Sequence, residues 1–288
     1  MITATLSQSI ITVGAALRKA LHALEPSSPT PRLDAEVLLM HACGLDRGDL
    51  ITSNEMAMTD EQQQRLDKLL DRRQRGEPVA YITGVREFWS MELNVSLATL
   101  IPRPETELLV EKALERIPLD ANWAIADLGT GSGAIALALA KERPGCHILA
   151  TDISSAALEV AKSNAKILGL ANVEFLEGDW FTPLAGEALN MIVSNPPYIS
   201  IGDPHLKLGD VRFEPNSALI AGPDGLDAIR HIAYQARFHL RSKGWLMIEH
   251  SWDQSASIEQ ILLQNGYGQI VFHVDLGGYN RVCECINN

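Results

Sequence analysis

The chain contains no run of about eighteen consecutive apolar residues, the length a helix needs to cross a bilayer, so no helical membrane span is expected. Its N-terminus also lacks a basic segment followed by an unbroken apolar core, so no secretory signal is expected and the cytoplasm is the expected compartment. Cysteine is scarce. Cys43 and Cys146 stand alone, and Cys283 and Cys285 form one Cys-x-Cys pair in an apparent strand with no second pair nearby. Structural zinc sites gather four ligands, and the eight histidines show no paired spacing, so no metal is expected and the thiols read as reduced structural residues. Positive charge is also in short supply, with 24 Lys and Arg against 36 Asp and Glu and a net charge of −12. Phosphate backbones are gripped mainly by Lys and Arg, so this balance disfavours stable nucleic-acid binding without forbidding a local basic patch. No stretch is rich enough in Pro, Ser or charge to predict long disorder, and the whole chain reads as folded.

A length of 288 residues predicts one α/β domain with a smaller appendage, each with its own core. Residues 1–85 read as helices broken by turn signals. Leu17, Leu21 and Leu24 put an apolar face on a first segment that stops at Glu25-Pro26-Ser27-Ser28-Pro29. Thr30 and Pro31 start a second segment whose expected apolar face is Leu33, Val37, Leu38 and Met40. Thr59 and Gln62 have capping-box spacing before a third, charged segment that ends near Gly76. Nine basic and eleven acidic side chains lie in this region, so the acidity resides mostly downstream. Residues 86–103 read as a hairpin linker with Asn94 in a turn, followed by Ile101-Pro102-Arg103-Pro104-Glu105-Thr106-Glu107, where two prolines stiffen the entry to a helix. From Trp123 onward apolar strands alternate with helices, which predicts a largely parallel sheet covered on both faces. The last two strand candidates, Gln269 to Val274 and Arg281 to Ile286, flank Gly277-Gly278 and are expected to pair as an antiparallel edge.

Asp127-Leu128-Gly129-Thr130-Gly131-Ser132-Gly133 follows an apolar strand and opens a helix, so its glycines let a ligand approach backbone N–H groups at a helix N-terminus. Asp152 ends the next strand, where a carboxylate can accept hydrogen bonds from ribose hydroxyls. Any nucleoside-containing cofactor fits these two features. Two more tilt the choice from a nicotinamide dinucleotide to S-adenosyl-L-methionine. The alternation Gly-x-Gly-x-Gly suits a methionine moiety that needs close packing and no diphosphate cradle. Gly178-Asp179-Trp180, after the following strand, supplies an acid and an aromatic wall for adenine, although Trp180 also suits an ordinary core and Asp179 a helix cap.

Asn195-Pro196-Pro197-Tyr198 comes directly after the apolar strand Met191-Ile192-Val193, at the sheet edge where α/β proteins bind ligands. Two consecutive prolines cannot continue a central strand, and they hold the Pro196 carbonyl on a rigid path. An amide or exocyclic amine nitrogen is a poor nucleophile because its lone pair is delocalised. If the Asn195 side-chain oxygen and the Pro196 carbonyl each accept one hydrogen from the NH2 group, the lone pair is aimed at the methyl donor. The same two dipoles stabilise the positive charge that develops on nitrogen. Tyr198 can stack on the planar group and Pro197 adjoins it. These residues predict methylation of a planar NH2-bearing group, without deciding between amide and adenine.

These motifs in this order resemble the peptide chain release factor glutamine methyltransferases of the HemK/PrmC type. The resemblance covers nearly the whole chain and is carried by Gly129 to Gly133, Asp152, Gly178-Asp179-Trp180-Phe181, Asn195 to Tyr198, Ile101 to Glu107, Phe213-Glu214-Pro215 and Ala218-Leu219. It implies a Rossmann-like class I methyltransferase domain, α/β with a mostly parallel sheet and an antiparallel C-terminal edge, over residues 104–288. A small helical substrate-recognition domain (1–85) and the hairpin linker (86–103) precede it. It further implies that Gly129, Thr130, Gly131, Ser132, Gly133, Asp152, Trp180 and Asn195 contact S-adenosyl-L-methionine. The implied substrate is the glutamine in the Gly-Gly-Gln loop of class 1 release factors, met by Asn195, Pro196, Pro197 and Tyr198, and the chain is expected to be monomeric. Phe88 reads equally as a wall of the glutamine pocket or a hydrophobic anchor, and Arg103 and Glu105 as a structural pair or as site residues. A ribosomal-protein glutamine methyltransferase shares the tetrapeptide but usually differs in the Pro-Arg-Pro-Glu-Thr-Glu run. A nucleic-acid adenine amino-methyltransferase, a noncatalytic binding module and a nicotinamide oxidoreductase are the other readings.

Overall fold

The computed structural model describes residues 11–288, and the expectation of no secretory signal concerns a segment that includes positions outside them. The chain divides into two compact units, one ending at Gly84 and the other running Val85–Asn288. Among the described residues, no helix is long and apolar enough to cross a membrane.

Among its described residues the first unit holds five helices: α1 (Val13–Leu24), α2 (Pro31–Cys43), α3 (Arg47–Thr52), α4 (Asp60–Gln74) and α5 (Val79–Thr83). The Thr59 hydroxyl accepts from Gln62 N while Gln62 Oε1 accepts from Thr59 N, so both halves of the expected capping box form at α4. The buried face of α2 differs from expectation. Asp34, Ala35, Leu38, Leu39 and Ala42 face the core, and Leu33 is exposed. The face turns because Asp34 receives the buried Arg73 guanidinium of α4 at 2.6 Å, a pairing across 39 residues that apolar spacing does not register. On α1 the fully covered positions are Val13, Ala16, Ala20 and Leu24, with Leu17 and Leu21 at the margin.

The second unit opens with the hairpin β1 (Val85–Phe88) and β2 (Met91–Asn94). Its turn is Trp89-Ser90, both at φ 52°, so Asn94 is not a turn residue as expected. Asn94 ends β2, and its N–H donates to Asn164 Oδ1 at 2.8 Å. A 3-10 turn at Pro104–Thr106 leads into α6 (Glu107–Arg116). Then follow β3 (Ala124–Leu128), α7 (Ala134–Glu142), β4 (His147–Asp152), α8 (Ser155–Leu168), β5 (Val173–Glu177), β6 (Leu189–Ser194), α9 (Asp227–His239), β7 (Leu240–Glu249), α10 (Ser255–Gln264), β8 (Tyr267–Val274) and β9 (Asn280–Asn287).

The seven strands of the main sheet lie in the order β5-β4-β3-β6-β7-β9-β8. Those from β5 to β7 are parallel, and β9 runs antiparallel between β7 and β8. The two last strands therefore pair as expected, with the second of them inserted inside the sheet. Alternate residues feed two apolar layers. Ile125, Met191, Val193 and Met247 join residues of α6 and α7 on one face, whereas Ala126, Leu128, Ile192, Leu246 and Ile248 join those of α9 and α10 on the other. Phe88 is buried in the first layer and acts as the hydrophobic anchor of the hairpin. Successive strands diverge from β3, with β4 and β5 on one side and β6 and β7 on the other. This switch point opens a crevice at the carboxyl ends of β3 and β6.

Candidate active site

A cavity of about 560 Å3 occupies that crevice. The register pairs Leu128 with Ser194, and Ser194 Oγ donates to the Leu128 carbonyl at 2.8 Å, so the segments leaving β3 and β6 start side by side. On the β3 side Gly129, Gly131 and Gly133 all have positive φ, at 72°, 57° and 86°. Only glycine takes this conformation without steric strain, and here it bends the loop back over the strand ends. Gly129 N and Thr130 N both donate to the Thr151 carbonyl, and Gly131 N donates to Asp152 Oδ2 at 2.9 Å. The other Asp152 oxygen accepts from Ser154 N at 2.9 Å. Asp152 thus ties the glycine loop to the start of α8 while its carboxylate faces the cavity with acceptor capacity to spare.

Beneath the loop lies Asp127, fully buried, with Oδ2 accepting from the Thr130 hydroxyl at 2.7 Å and from Ala136 N at 3.2 Å. Burial pushes its carboxyl up to about 7, against the opposing pull of those two donors. On the far wall Trp180, at φ 44°, lays its indole over Gly129, where an added Cβ would stand 3.5 Å from Cζ3. Trp180 and Asp179 both line the cavity, Asp179 with its side chain exposed and Trp180 half-buried, packed against the second apolar layer as well.

On the β6 side Asn195 and Pro197 face the cavity. Asn195 Nδ2 donates to Thr106 Oγ1 at 3.2 Å, which leaves Oδ1 with no donor among the described residues. Thr106 is buried and belongs to the Pro-Arg-Pro-Glu-Thr-Glu run, so that run and the tetrapeptide are parts of one site. Arg103 also lines the cavity. It pairs with Glu214 rather than Glu105, one Nη donating to both Glu214 oxygens at 2.6 and 2.7 Å. Burial raises the Glu214 carboxyl, and the Arg103 guanidinium opposes that rise. Glu105 is exposed.

Of the residues singled out in the sequence, Gly129, Thr130, Gly131, Ser132, Asp152, Trp180, Asn195 and Pro197 share this cavity wall. Gly133, Pro196 and Tyr198 do not contribute to it. Gly133 caps α7 and faces Leu137 and Ala161, Pro196 is buried, and the Tyr198 ring packs on the second apolar layer with its hydroxyl 3.5 Å from Glu249 Oε1. Gln254 fixes the exit of the tetrapeptide, donating to the Tyr198 carbonyl at 3.0 Å. Sequence reasoning missed Thr106, Glu249 and Gln254, as well as the wall formed by Thr99, Leu100, Ser217 and His231. Thr106 carried a signal, since it lies in a run already singled out. Glu249 carried another, as a lone acid ending an apolar strand at the same sheet edge.

The cavity fits a nucleoside-bearing methyl donor. Its volume is that of a small-molecule site, a glycine loop offers close backbone approach, and a carboxylate and an indole stand where a ribose and a base need them. Comparison with known proteins agrees with this reading of the fold. Residues 15–84 match the family described as "PrmC N-terminal domain" and residues 119–280 the family described as "Methyltransferase domain". The release factor glutamine methyltransferase of Escherichia coli (strain K12) is 51% identical over 92% of this chain and 95% of its own length. That of Xylella fastidiosa (strain Temecula1 / ATCC 700964) is 51% identical over 87% of this chain and 91% of its own. Among solved structures, the Thermus thermophilus 16S rRNA N2 G1207 methyltransferase, in complex with AdoMet and guanosine, superposes with a TM-score of 0.53 at 20% identity, over 71% of this chain and 50% of that one, a likeness of fold. With half its residues shared across nearly the full length of such relatives, this chain belongs to the release factor glutamine methyltransferase family.

Proposed function

We propose that this chain methylates the side-chain amide nitrogen of the glutamine in the Gly-Gly-Gln loop of class 1 peptide chain release factors, using S-adenosyl-L-methionine. The observation that carries the reading is the orientation of Asn195. Its Nδ2 is held by Thr106, and its Oδ1 remains an acceptor on the wall of the cavity that the glycine loop also lines. S-adenosyl-L-methionine, when bound, supplies a methyl group activated on a sulfonium. The loop residues Gly129 to Ser132 and Asp152 would hold the nucleoside and methionine moieties, with Gly133 shaping the loop from behind, and Asp179 with Trp180 would hold the base. Asn195 Oδ1, on the cavity wall, accepts one amide hydrogen and the Pro196 carbonyl, which lies just outside that wall, is the proposed acceptor of the other; together they fix the plane of the amide and turn its lone pair toward the methyl. As the N–C bond forms and the methyl–sulfur bond breaks, its electron pair returning to sulfur to leave a neutral thioether, the nitrogen becomes positive, and these two oxygens stabilise it more than they do the neutral amide. One amide proton leaves afterwards. The net negative charge of the chain and the identity with protein-modifying relatives favour a protein substrate over nucleic acid. The same reading makes the enzyme a cytoplasmic monomer.

Asn195→Ala tests it. Losing one of two acceptors aimed at a developing charge lowers kcat about 100-fold or more, with the affinity for S-adenosyl-L-methionine nearly unchanged by calorimetry. Undiminished turnover in that variant contradicts the assigned role. Transfer of label to nucleic acid in preference to a release factor contradicts the assigned substrate.

A further inference from the structure

Behind the tetrapeptide, at the end of β7, stands Glu249. It is 1% exposed, and its Oε2 has no hydrogen-bond partner among the described residues. Tyr198 Oη stands 3.5 Å from Oε1, and the Thr106 hydroxyl, close to the carboxylate without a direct hydrogen bond to it, favours its charged form. Thr106 is the residue whose Oγ1 accepts from Asn195 Nδ2. A threonine hydroxyl has one proton to give and two lone pairs. If the proton points to Glu249, Thr106 offers Asn195 only lone pairs, and of the two ends of the Asn195 amide only Nδ2 can meet them. Should the proton point to Asn195 instead, Oδ1 becomes the end that Thr106 attracts, the amide turns over, and an NH2 group faces the NH2 group of the substrate.

We propose that Glu249 is a positioning residue that sets the amide orientation of Asn195 through Thr106, so that an acceptor rather than a donor meets the reacting nitrogen. This rests on the proposed function, because it presumes that Asn195 Oδ1 holds the substrate amide. It accounts for a buried acid at this position, since only a group without a proton demands one from Thr106. It also makes the Pro-Arg-Pro-Glu-Thr-Glu run a part of the chemistry, because Thr106 is its contribution. The ionisation of Glu249 is then visible in turnover. Burial raises its carboxyl to about 7, with Thr106 and Tyr198 pulling it down, Arg281 of β9 lowering it and Glu105 of the turn before α6 raising it. The carboxylate is the working form, so kcat rises with pH through about 7.

The experiment compares wild type, Glu249→Gln, Thr106→Val and Thr106→Ser in steady-state methylation of a class 1 release factor, with cofactor affinity measured separately. Glu249→Gln and Thr106→Val lower kcat about tenfold, the worth of one neutral hydrogen bond in the transition state, with little change in cofactor affinity or in KM for the release factor. Thr106→Ser, which restores the hydroxyl, regains most of the rate lost in Thr106→Val. The rise of kcat through pH of about 7 disappears in Glu249→Gln. Wild-type kcat in both Glu249→Gln and Thr106→Val, a loss confined to cofactor affinity, or an unchanged pH profile in Glu249→Gln overturns the proposal. If Glu249→Gln does not fold, the pair Thr106→Val and Thr106→Ser decides, and equal losses in both overturn it. Failure of the wild type itself to methylate the release factor refutes the proposed function instead.

Discussion

Replacing Gly133 by alanine sets two costs against the glycine loop at once. At φ 86° a residue with a Cβ is strained by about 1–2 kcal/mol. The new methyl would also stand 3.0 Å from Leu137 Cδ1 and 3.2 Å from Ala161 Cβ, in a layer that is already full. Overpacking of this kind adds about 1–3 kcal/mol, so the expected destabilisation is about 2–5 kcal/mol. Gly131 is the control. It too has positive φ, 57°, but an added Cβ meets nothing within 4 Å, so Gly131→Ala bears only the conformational cost of about 1–2 kcal/mol. Its methyl intrudes on the cavity instead and weakens cofactor binding. Urea unfolding followed by tryptophan fluorescence reads the difference cleanly, because Trp89, Trp123, Trp180, Trp245 and Trp252 all lie in the second unit. A Gly133→Ala protein as stable as wild type, or no less stable than Gly131→Ala, refutes the account of why the loop ends in glycine.

Two further outcomes concern buried charge. Asp34→Ala withdraws the carboxylate from the buried Arg73 guanidinium and destabilises the helical unit by about 3–5 kcal/mol, seen as faster amide hydrogen exchange in α2 and α4, whereas unchanged exchange contradicts it. Burial pushes the Asp127 carboxyl up to about 7, well above the ordinary aspartate range, so its protonated form is the one the fold favours. Its contribution is therefore fully present below the unfolded value and is lost as pH rises through about 7. Asp127→Asn, which cannot ionise, gains stability relative to wild type as pH rises from about 5 to about 8, and a variant urea midpoint that stays constant or falls relative to that of wild type over that range contradicts the assignment.

The strands β3, β4, β6 and β7 were legible because they are covered on both faces and read as short apolar runs, and the glycine loop because its residues have one economical backbone solution. What was not legible depended on partners distant in sequence. The face of α2 follows Asp34, whose partner Arg73 lies on another helix. The hairpin turn uses Trp89 and Ser90 at positive φ, where turn chemistry points to Asn or Gly. They are held there by Trp89 N donating to Glu107 at 2.8 Å and Trp89 Nε1 to Glu142 at 3.0 Å. The insertion of β9 between β7 and β8 is a property of the sheet rather than of either strand. In the site, the glycine loop, Asp152, Trp180, Asn195 and Pro197 were recognisable as motifs, whereas the wall residues Thr99, Leu100, Ser217 and His231, and Thr106, Glu249 and Gln254, which hold the tetrapeptide, announce themselves only once distant segments are seen side by side.

The central claim is that one planar amide, held by Asn195 and Pro196, is the group methylated. It is tested most directly by incubating the protein with S-adenosyl-L-methionine and an unmodified class 1 release factor, then mapping the release factor peptides by mass spectrometry. The account predicts a single added methyl group, located on the side-chain nitrogen of the glutamine in the Gly-Gly-Gln loop. Methyl groups on other residues, or an unmodified release factor under conditions where the cofactor binds, would contradict it.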